Sequence, residues 1–213
     1  MKVELRADSV LIEGYVNAVG RDSRVIPSPL GPFVEQVEPK TFERALSRGK
    51  NVELKLNHQR VVGSIAEGNL QLHEDNIGLY ARAEVSDPEV IERARNHELR
   101  GWSFAFTQPK YRFEDGPNGV KRRRLEDLEL REVSIIDRRK VPVYIGTSIE
   151  ARDEDEAMVE QRGADDDVDT VDNTPPETHD YSTLKRKIEI MRMRGKKHER
   201  PEETDREAQR PVE

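Results

Sequence analysis

A serine lies at the centre of the aromatic run GWSFAF, residues 101–106. If this run is a strand, Trp102, Phe104 and Phe106 share one face and Ser103 lies on the other, because side chains alternate along a strand. Three buried rings can hold such a strand rigidly, while a small residue opposite them can face a cleft. A serine in a strand is usually only a small residue at a crowded position. It becomes a candidate nucleophile when a base lies beside it.

A histidine occupies a position where the pattern predicts an apolar side chain. In NVELKLNH, residues 51–58, His58 continues the alternation of Leu54 and Leu56. An imidazole on an inward-facing side needs a hydrogen-bonding partner or a chemical use. His58 is therefore a candidate general base.

A carboxylate occupies a similar position near residue 130. In LELREVSII, residues 128–136, Glu132 shares an alternating face with Leu128, Leu130 and Ser134. A buried carboxylate is costly unless a charged or hydrogen-bonding group meets it. An alcohol, an imidazole and a carboxylate together are the parts of a nucleophilic hydrolase. Sequence spacing alone does not establish that the three groups meet in space.

Two other histidines are rivals for the role of base. His73 stands beside a predicted hairpin turn, and His97 lies near the end of a predicted helix just before the serine. A histidine at a helix C-terminus is also favoured by the helix dipole, which gives His97 a structural explanation. No pair of histidines has the spacing of metal ligands, so we predict no metal and no cofactor.

The elements around these residues are mostly strands, and the sequence predicts an α+β fold. Apolar residues alternate through much of residues 1–150. Two helices interrupt the strands, one in EPKTFERALSRG and one in SDPEVIERARNHELRG, where Asp87 is the predicted N-cap and Pro88 the first helical residue. NLQLHEDNIGLYARAEV is a predicted hairpin, and the turn EDGPNG precedes a long strand.

Composition divides the chain into a body and a polar tail. We predict a folded domain over residues 1–150, a disordered acidic linker over 151–180, and a charged tail over 181–213. The linker has twelve acidic and two basic residues, whereas the tail has ten basic and seven acidic residues. Leu184, Ile188 and Met191 have helical spacing, so the tail contains either an amphipathic helix that docks on a partner or a solvated segment with transient helicity.

The same composition excludes several classes of protein. The chain has 213 residues, of which 37% are charged and none is cysteine, which excludes disulfides and thiol catalysis. The body carries no net charge, which is not typical of a nucleic-acid-binding protein. No apolar segment has the length of a membrane span or a signal peptide, so we expect a cytoplasmic protein without membrane contact.

The order of these motifs resembles that of the prohead maturation proteases of tailed phages, which are related to the herpesvirus assemblins. The resemblance covers about residues 9–150 and rests on IEGYVNAVG, EPKTFERAL, LNH followed by VVGSI, DNIGLYARAEV, LRGWSFAF and LELREVSIID. It implies a small β-barrel wrapped by helices. It also implies a serine protease with Ser103 as nucleophile, His58 as base and Glu132 as the third member.

The chain departs from this family pattern after the last strand, where it has DRRKVPVY instead of a proline-alanine pair, and in its early loop PSPLGPF. In assemblins an arginine pair at a similar offset helps to form the oxyanion hole. Arg138 and Arg139 are therefore candidates for that role. Alternatively, they are solvated loop residues that balance nearby acidic groups.

The resemblance implies a serine endopeptidase that cuts scaffold and capsid-protein segments, and finally itself, during procapsid maturation. Its implied partners are the major capsid protein and the scaffold segment of that protein, and its implied location is the assembling procapsid in the host bacterial cytoplasm. Whether the chain forms a homo-oligomer stays open. The alternative is an inactive scaffold or capsid-interaction protein that retains the fold. A general esterase is not supported, because the chain lacks a Gly-x-Ser-x-Gly elbow.

Overall fold

The computed structural model describes residues 1–138, 149–150, 159–163, 167–175 and 186–191. The chain forms two compact units, Met1–Pro175 and Pro176–Glu213. All named strands and helices belong to the first unit. Among the described residues, none of the helices is long and apolar enough to cross a membrane.

The described residues include twelve strands. In chain order these are β1 (Lys2–Leu5), β2 (Val10–Ala18), β3 (Phe33–Val37), β4 (Glu53–Leu56), β5 (Arg60–Ser64), β6 (Leu70–Glu74), β7 (Gly78–Val85), β8 (Leu99–Asp115), β9 (Lys121–Asp137), β10 (Ile149–Glu150), β11 (Val159–Gly163) and β12 (Asp169–Asp172). One sheet has the order β12-β1-β2-β7-β6. The other has the order β10-β11-β8-β9-β4-β5, and β3 also pairs with β9.

Two helices pack against these sheets. Helix α1 (Thr41–Ser47) contacts β9 and β6, and Gly49 follows it in a left-handed conformation with φ 64° that suits a residue without a Cβ. Helix α2 (Pro88–Arg95) begins as the sequence predicts, because the Asp87 carboxylate accepts hydrogen bonds from the backbone N–H groups of Glu89 and Val90. The prediction of a mostly β structure with a few helices is confirmed.

The prediction of a small β-barrel is wrong, because the two sheets do not close into one. A barrel needs its edge strands to pair with one another. Here β6 and β12 border one sheet and β5 and β10 border the other, in the part of the chain that the structure describes. The apolar core instead contains side chains from both sheets and both helices.

The β8–β9 hairpin is the central element of the second sheet. Its register places Ser103 opposite Ser134 and Ala105 opposite Glu132, so all four side chains share one face. The register then shifts at Arg131, and Phe106 pairs with Leu130. This bulge moves Leu130 to the face of the aromatic rings, which differs from the prediction that Leu130 and Glu132 share a face.

The acidic segment differs in part from the predicted disordered linker over residues 151–180. Within it, β11 pairs with β8 and β12 pairs with β1. Backbone pairing holds both strands, and buried charge pairs also hold β11, although the segment has few apolar residues. The remaining described part of the predicted tail is residues 186–191, which are helical and exposed. Leu184 and the rest of the tail lie outside the described residues.

Candidate active site

Strand β8 holds Ser103 on a rigid support. Trp102, Phe104 and Phe106 are at most 1% exposed, and the Phe104 ring meets the Phe42 ring edge-on with a centroid separation of 5.3 Å. Aromatic packing of this kind limits the motion of the strand on one face. Ser103 lies on the opposite face and is 2% exposed. The predicted division between rings and serine is therefore confirmed.

His58 follows strand β4 in a tight turn. Strand β4 ends at Leu56, and both Asn57 (φ 54°) and His58 (φ 61°) adopt left-handed conformations. The prediction that His58 continues the alternation of β4 is therefore wrong in detail, because the turn directs the imidazole. The backbone N–H of His58 donates to Ser134 Oγ at 2.8 Å, which anchors this turn to β9.

The imidazole of His58 bridges the serine and the carboxylate. Its Nε2 lies 2.7 Å from Ser103 Oγ, and its Nδ1 lies 2.6 Å from Glu132 Oε1. An ionised carboxylate can only accept hydrogen bonds, so Glu132 favours the tautomer with the proton on Nδ1. Nε2 is then free to accept a proton from the serine hydroxyl. The structure thus brings together the three residues singled out in the sequence.

Glu132 has a second partner in Lys55, whose Nζ contacts its other carboxylate oxygen. Burial alone would raise the pKa of Glu132. Hydrogen bonds from His58 and Lys55, together with the positive charge of Lys55, nevertheless hold that pKa below its ordinary value. Burial alone would lower the pKa of Lys55, but hydrogen bonds and charge interactions with Glu132 and Glu53 raise that pKa above its ordinary value. The carboxylate beside His58 therefore stays ionised in neutral solution.

Strand β11 lies beside Ser103 in the same sheet. It runs antiparallel to β8, with Arg162 opposite Phe104 and Gly163 opposite Ser103. Ser103 Oγ also lies 2.6 Å from the carbonyl oxygen of Arg162, to which its hydroxyl can donate. The single hydroxyl proton serves either this carbonyl or His58 Nε2 at any one time.

Four buried charged side chains lie beside this strand. Arg162 binds Glu35 through two hydrogen bonds of 2.6 and 2.8 Å, and Glu160 binds Arg123 through two of 2.6 and 2.8 Å. All four residues are at most 8% exposed. Burial would raise the pKa of Glu160, but the two arginines hold it below its ordinary value. We refer to Glu35, Arg123, Glu160 and Arg162 as the charge cluster.

A protein-family model described as the caudovirus prohead serine protease matches residues 1–162. The chain belongs to this family. The match covers most of the chain, including strands β8 and β9 and all but the last residue of β11. Comparison with curated proteins found no match, and comparison with solved structures found none either. Membership supports a serine protease role in phage capsid maturation for this family member.

Of the two arginines predicted to form the oxyanion hole, the structure describes only Arg138. Arg138 is exposed, its backbone N–H donates to the Glu98 carbonyl, and it lines a surface pocket together with His97. It follows the last residue of β9, Asp137. No contact between Arg138 and the three residues of the candidate site is seen among the described residues, so its role in an oxyanion hole stays a prediction. Arg139 lies outside the described residues.

The rival histidines of this family member lie in other surroundings. The His73 ring lies 5.3 Å from the Tyr80 ring on the β6–β7 hairpin. His97 follows α2 with φ 53° and lines the pocket that contains Arg138. Among the described residues there is no group of three or more metal-binding side chains.

Sequence reasoning missed Lys55 and the charge cluster. A signal existed for one member, because Glu35 alternates with Phe33 and Val37 along β3 and so occupies an inward position. No comparable signal identified Arg162, since the acidic composition around it favours disorder. Its place depends on pairing between residues that are 59 positions apart in the chain.

Proposed function

We propose that this chain is a serine endopeptidase that uses Ser103 as nucleophile, His58 as general base and Glu132 as the residue that orients the imidazole. The observation that carries the proposal is the continuous set of contacts from Ser103 Oγ through the His58 ring to Glu132, with distances of 2.7 and 2.6 Å. These are the distances expected of a nucleophile, a base and its orienting group.

The reaction begins when Ser103 Oγ attacks a peptide carbonyl carbon and His58 Nε2 takes the hydroxyl proton. Glu132 stabilises the imidazolium that forms, and Lys55 keeps Glu132 ionised. The C–N bond then breaks, and His58 protonates the departing amine. Water, deprotonated by His58, hydrolyses the resulting ester and regenerates Ser103.

Its substrates are the scaffold and capsid-protein segments of an assembling phage procapsid, and finally its own chain. Family membership supports the procapsid setting. The position of β11 beside Ser103 supports self-cleavage between about residues 148 and 182. The polar tail, which includes the exposed helical residues 186–191, recruits the enzyme to the shell.

An inactive capsid-interaction protein is the alternative, and the geometry gives it less support. Such a protein needs neither a histidine between a serine and a carboxylate nor a lysine on that carboxylate. No described feature specifically favours this alternative.

Cleavage of the cognate major capsid protein with its scaffold segment tests the proposal. Ser103→Ala should leave that substrate intact, because the covalent step is lost. Ser86→Ala, which removes an exposed hydroxyl elsewhere, should cleave like the parent chain. Undiminished cleavage by Ser103→Ala would show that the proposed function is wrong.

A further inference from the structure

Strand β11 lies against β8 in the manner of a bound peptide. It is extended, antiparallel to β8, and in register from Glu160 opposite Phe106 to Gly163 opposite Ser103. Peptides often bind by adding a strand to a sheet in this way, with backbone hydrogen bonds giving affinity and alternate side chains giving specificity. The carbonyl nearest Ser103 Oγ is that of Arg162, at 2.6 Å.

The side chains of Glu160 and Arg162 point to one side of this strand and enter the charge cluster. Arg162 forms its paired hydrogen bonds with Glu35, and its guanidinium lies 5.2 Å from the centre of the Phe106 ring. Glu160 forms its own pair with Arg123. Two-point contacts between arginine and carboxylate are geometrically selective as well as strong.

Two members of the charge cluster, Glu35 and Arg123, lie outside β11. Glu35 on β3 and Arg123 on β9 are direct partners in a parallel strand pair, and their side chains are 3.3 Å apart. Arg123 also lies 4.1 Å from the centre of the Tyr111 ring. Contacts with β3, β9 and the Tyr111 ring therefore hold this pair in place without β11.

We propose that Glu35 and Arg123 form a peptide-binding subsite that selects an acidic residue, any residue and then arginine, with cleavage after the arginine. This inference rests on the proposed function. Glu35 binds the arginine side chain, and Arg123 binds the acidic side chain two residues earlier. Strand β11 shows the bound arrangement, and its own Arg162–Gly163 bond is the self-cleavage site.

At that bond, Ser103 Oγ adds to the carbonyl carbon of Arg162 as His58 takes the serine proton. The bond to the Gly163 nitrogen breaks, and the proton on His58 passes to that nitrogen. Hydrolysis of the ester leaves a carboxylate on Arg162. Because β11 occupies the strand position beside Ser103 until then, a second peptide can pair with β8 there only when β11 leaves.

A peptide library tests the subsite, with peptides prepared by chymotryptic digestion of a bacterial proteome and then incubated with the full-length chain. Mass spectrometry of the new termini should show arginine before the cut bond and an acidic residue two positions earlier. Replacement of either the arginine or the acidic residue in a peptide should lower its cleavage about 10- to 100-fold, because charge-assisted hydrogen bonds to the enzyme are lost. Intact-mass analysis of the enzyme should show a product that ends at Arg162.

Substitutions of Glu35 sharpen this test. Glu35→Gln should lose the preference for arginine, and Glu35→Arg should shift the preference to an acidic residue before the cut bond. Glu38→Gln, which removes a charge from the ion pair with the exposed Arg112, should keep the parent preference. The library profile of the parent chain tests the proposal even if a Glu35 variant does not fold.

Two failures are distinguishable. Ser103-dependent cleavage with no preference at these two positions would overturn the subsite and leave the proposed function standing. Cleavage that persists in Ser103→Ala, or an absence of Ser103-dependent cleavage of any peptide, would overturn both.

Discussion

The hydroxyl of Ser134 accepts a hydrogen bond from the backbone N–H of His58 at 2.8 Å. The same hydroxyl donates to the Lys55 carbonyl at 3.2 Å, so one buried serine ties the end of β4 to β9. Both His58 and the preceding Asn57 have positive φ values, which most residues adopt only when the surroundings compensate. Ser134 is therefore a positioning residue for the imidazole.

We expect Ser134→Ala to lower kcat about 10-fold or more while KM changes little. The physical reason is that a displacement of the base by a fraction of an ångström weakens proton transfer without altering peptide contacts. Steady-state kinetics on a peptide substrate provide the measurement. Ser134→Thr, which keeps the hydroxyl, should recover much of the loss. Equal rates for Ser134→Ala and the parent chain would show that the turn positions His58 unaided.

Glu132→Gln should fold and yet lose about 10³-fold or more in kcat. The amide cannot stabilise the imidazolium, and it can favour the wrong imidazole tautomer. The matched control is Glu129→Gln, which removes a carboxylate on the same strand that pairs with Lys50 and Arg131 instead of His58. Activity of Glu132→Gln within a few fold of the control would return Glu132 to a structural role.

Lys55→Met should lower the free energy of unfolding by about 1–3 kcal/mol at neutral pH, because it removes a charged partner of the buried Glu132. The pKa of Glu132 is lower in the folded chain than its ordinary value of 4.5, so its ionised form stabilises the fold above that pH. This contribution is lost as the pH falls through the folded pKa. Urea titrations from pH 7 to pH 3 should therefore show the parent and Lys55→Met converging. A difference that stays constant with pH would contradict this explanation.

Asp137→Asn should lower the free energy of unfolding by about 3–5 kcal/mol, since it leaves the charge of Arg93 without its buried partner. Asp137 is fully buried, whereas Glu89, the other partner of Arg93, is 43% exposed at its side chain. Glu89→Gln should accordingly cost less than about 1 kcal/mol. Denaturant unfolding of both variants measures the contrast, and similar losses would show that burial does not govern the strength of these pairs.

Local sequence patterns predicted the elements that depend on neighbouring residues. The N-cap at Asp87, the β6–β7 hairpin and the faces of β8 follow from short-range chemistry, and the structure confirms them. The juxtaposition of Ser103 with His58 was suggested by inward polar positions and by the family resemblance. Only the structure shows that the two side chains lie within hydrogen-bonding distance of each other.

Features that depend on long-range pairing could not be predicted in the same way. The bulge at Arg131 changes which residues share a face, and no residue type signals it. The sheets do not close into a barrel because their edge strands do not pair with each other. The alternation of apolar and polar residues does not indicate which strands pair. Strand β11 owes its place to charge pairs with distant residues, whereas composition alone predicts disorder there.

Proteolysis by Ser103 is tested by the intact mass of the purified full-length chain over time, with the parent chain and Ser103→Ala incubated in parallel. The parent chain should lose its C-terminal part at a bond between about residues 148 and 182. Ser103→Ala should keep its full mass throughout. Truncation of both chains at the same rate, or a parent chain that stays intact, would contradict self-cleavage by Ser103.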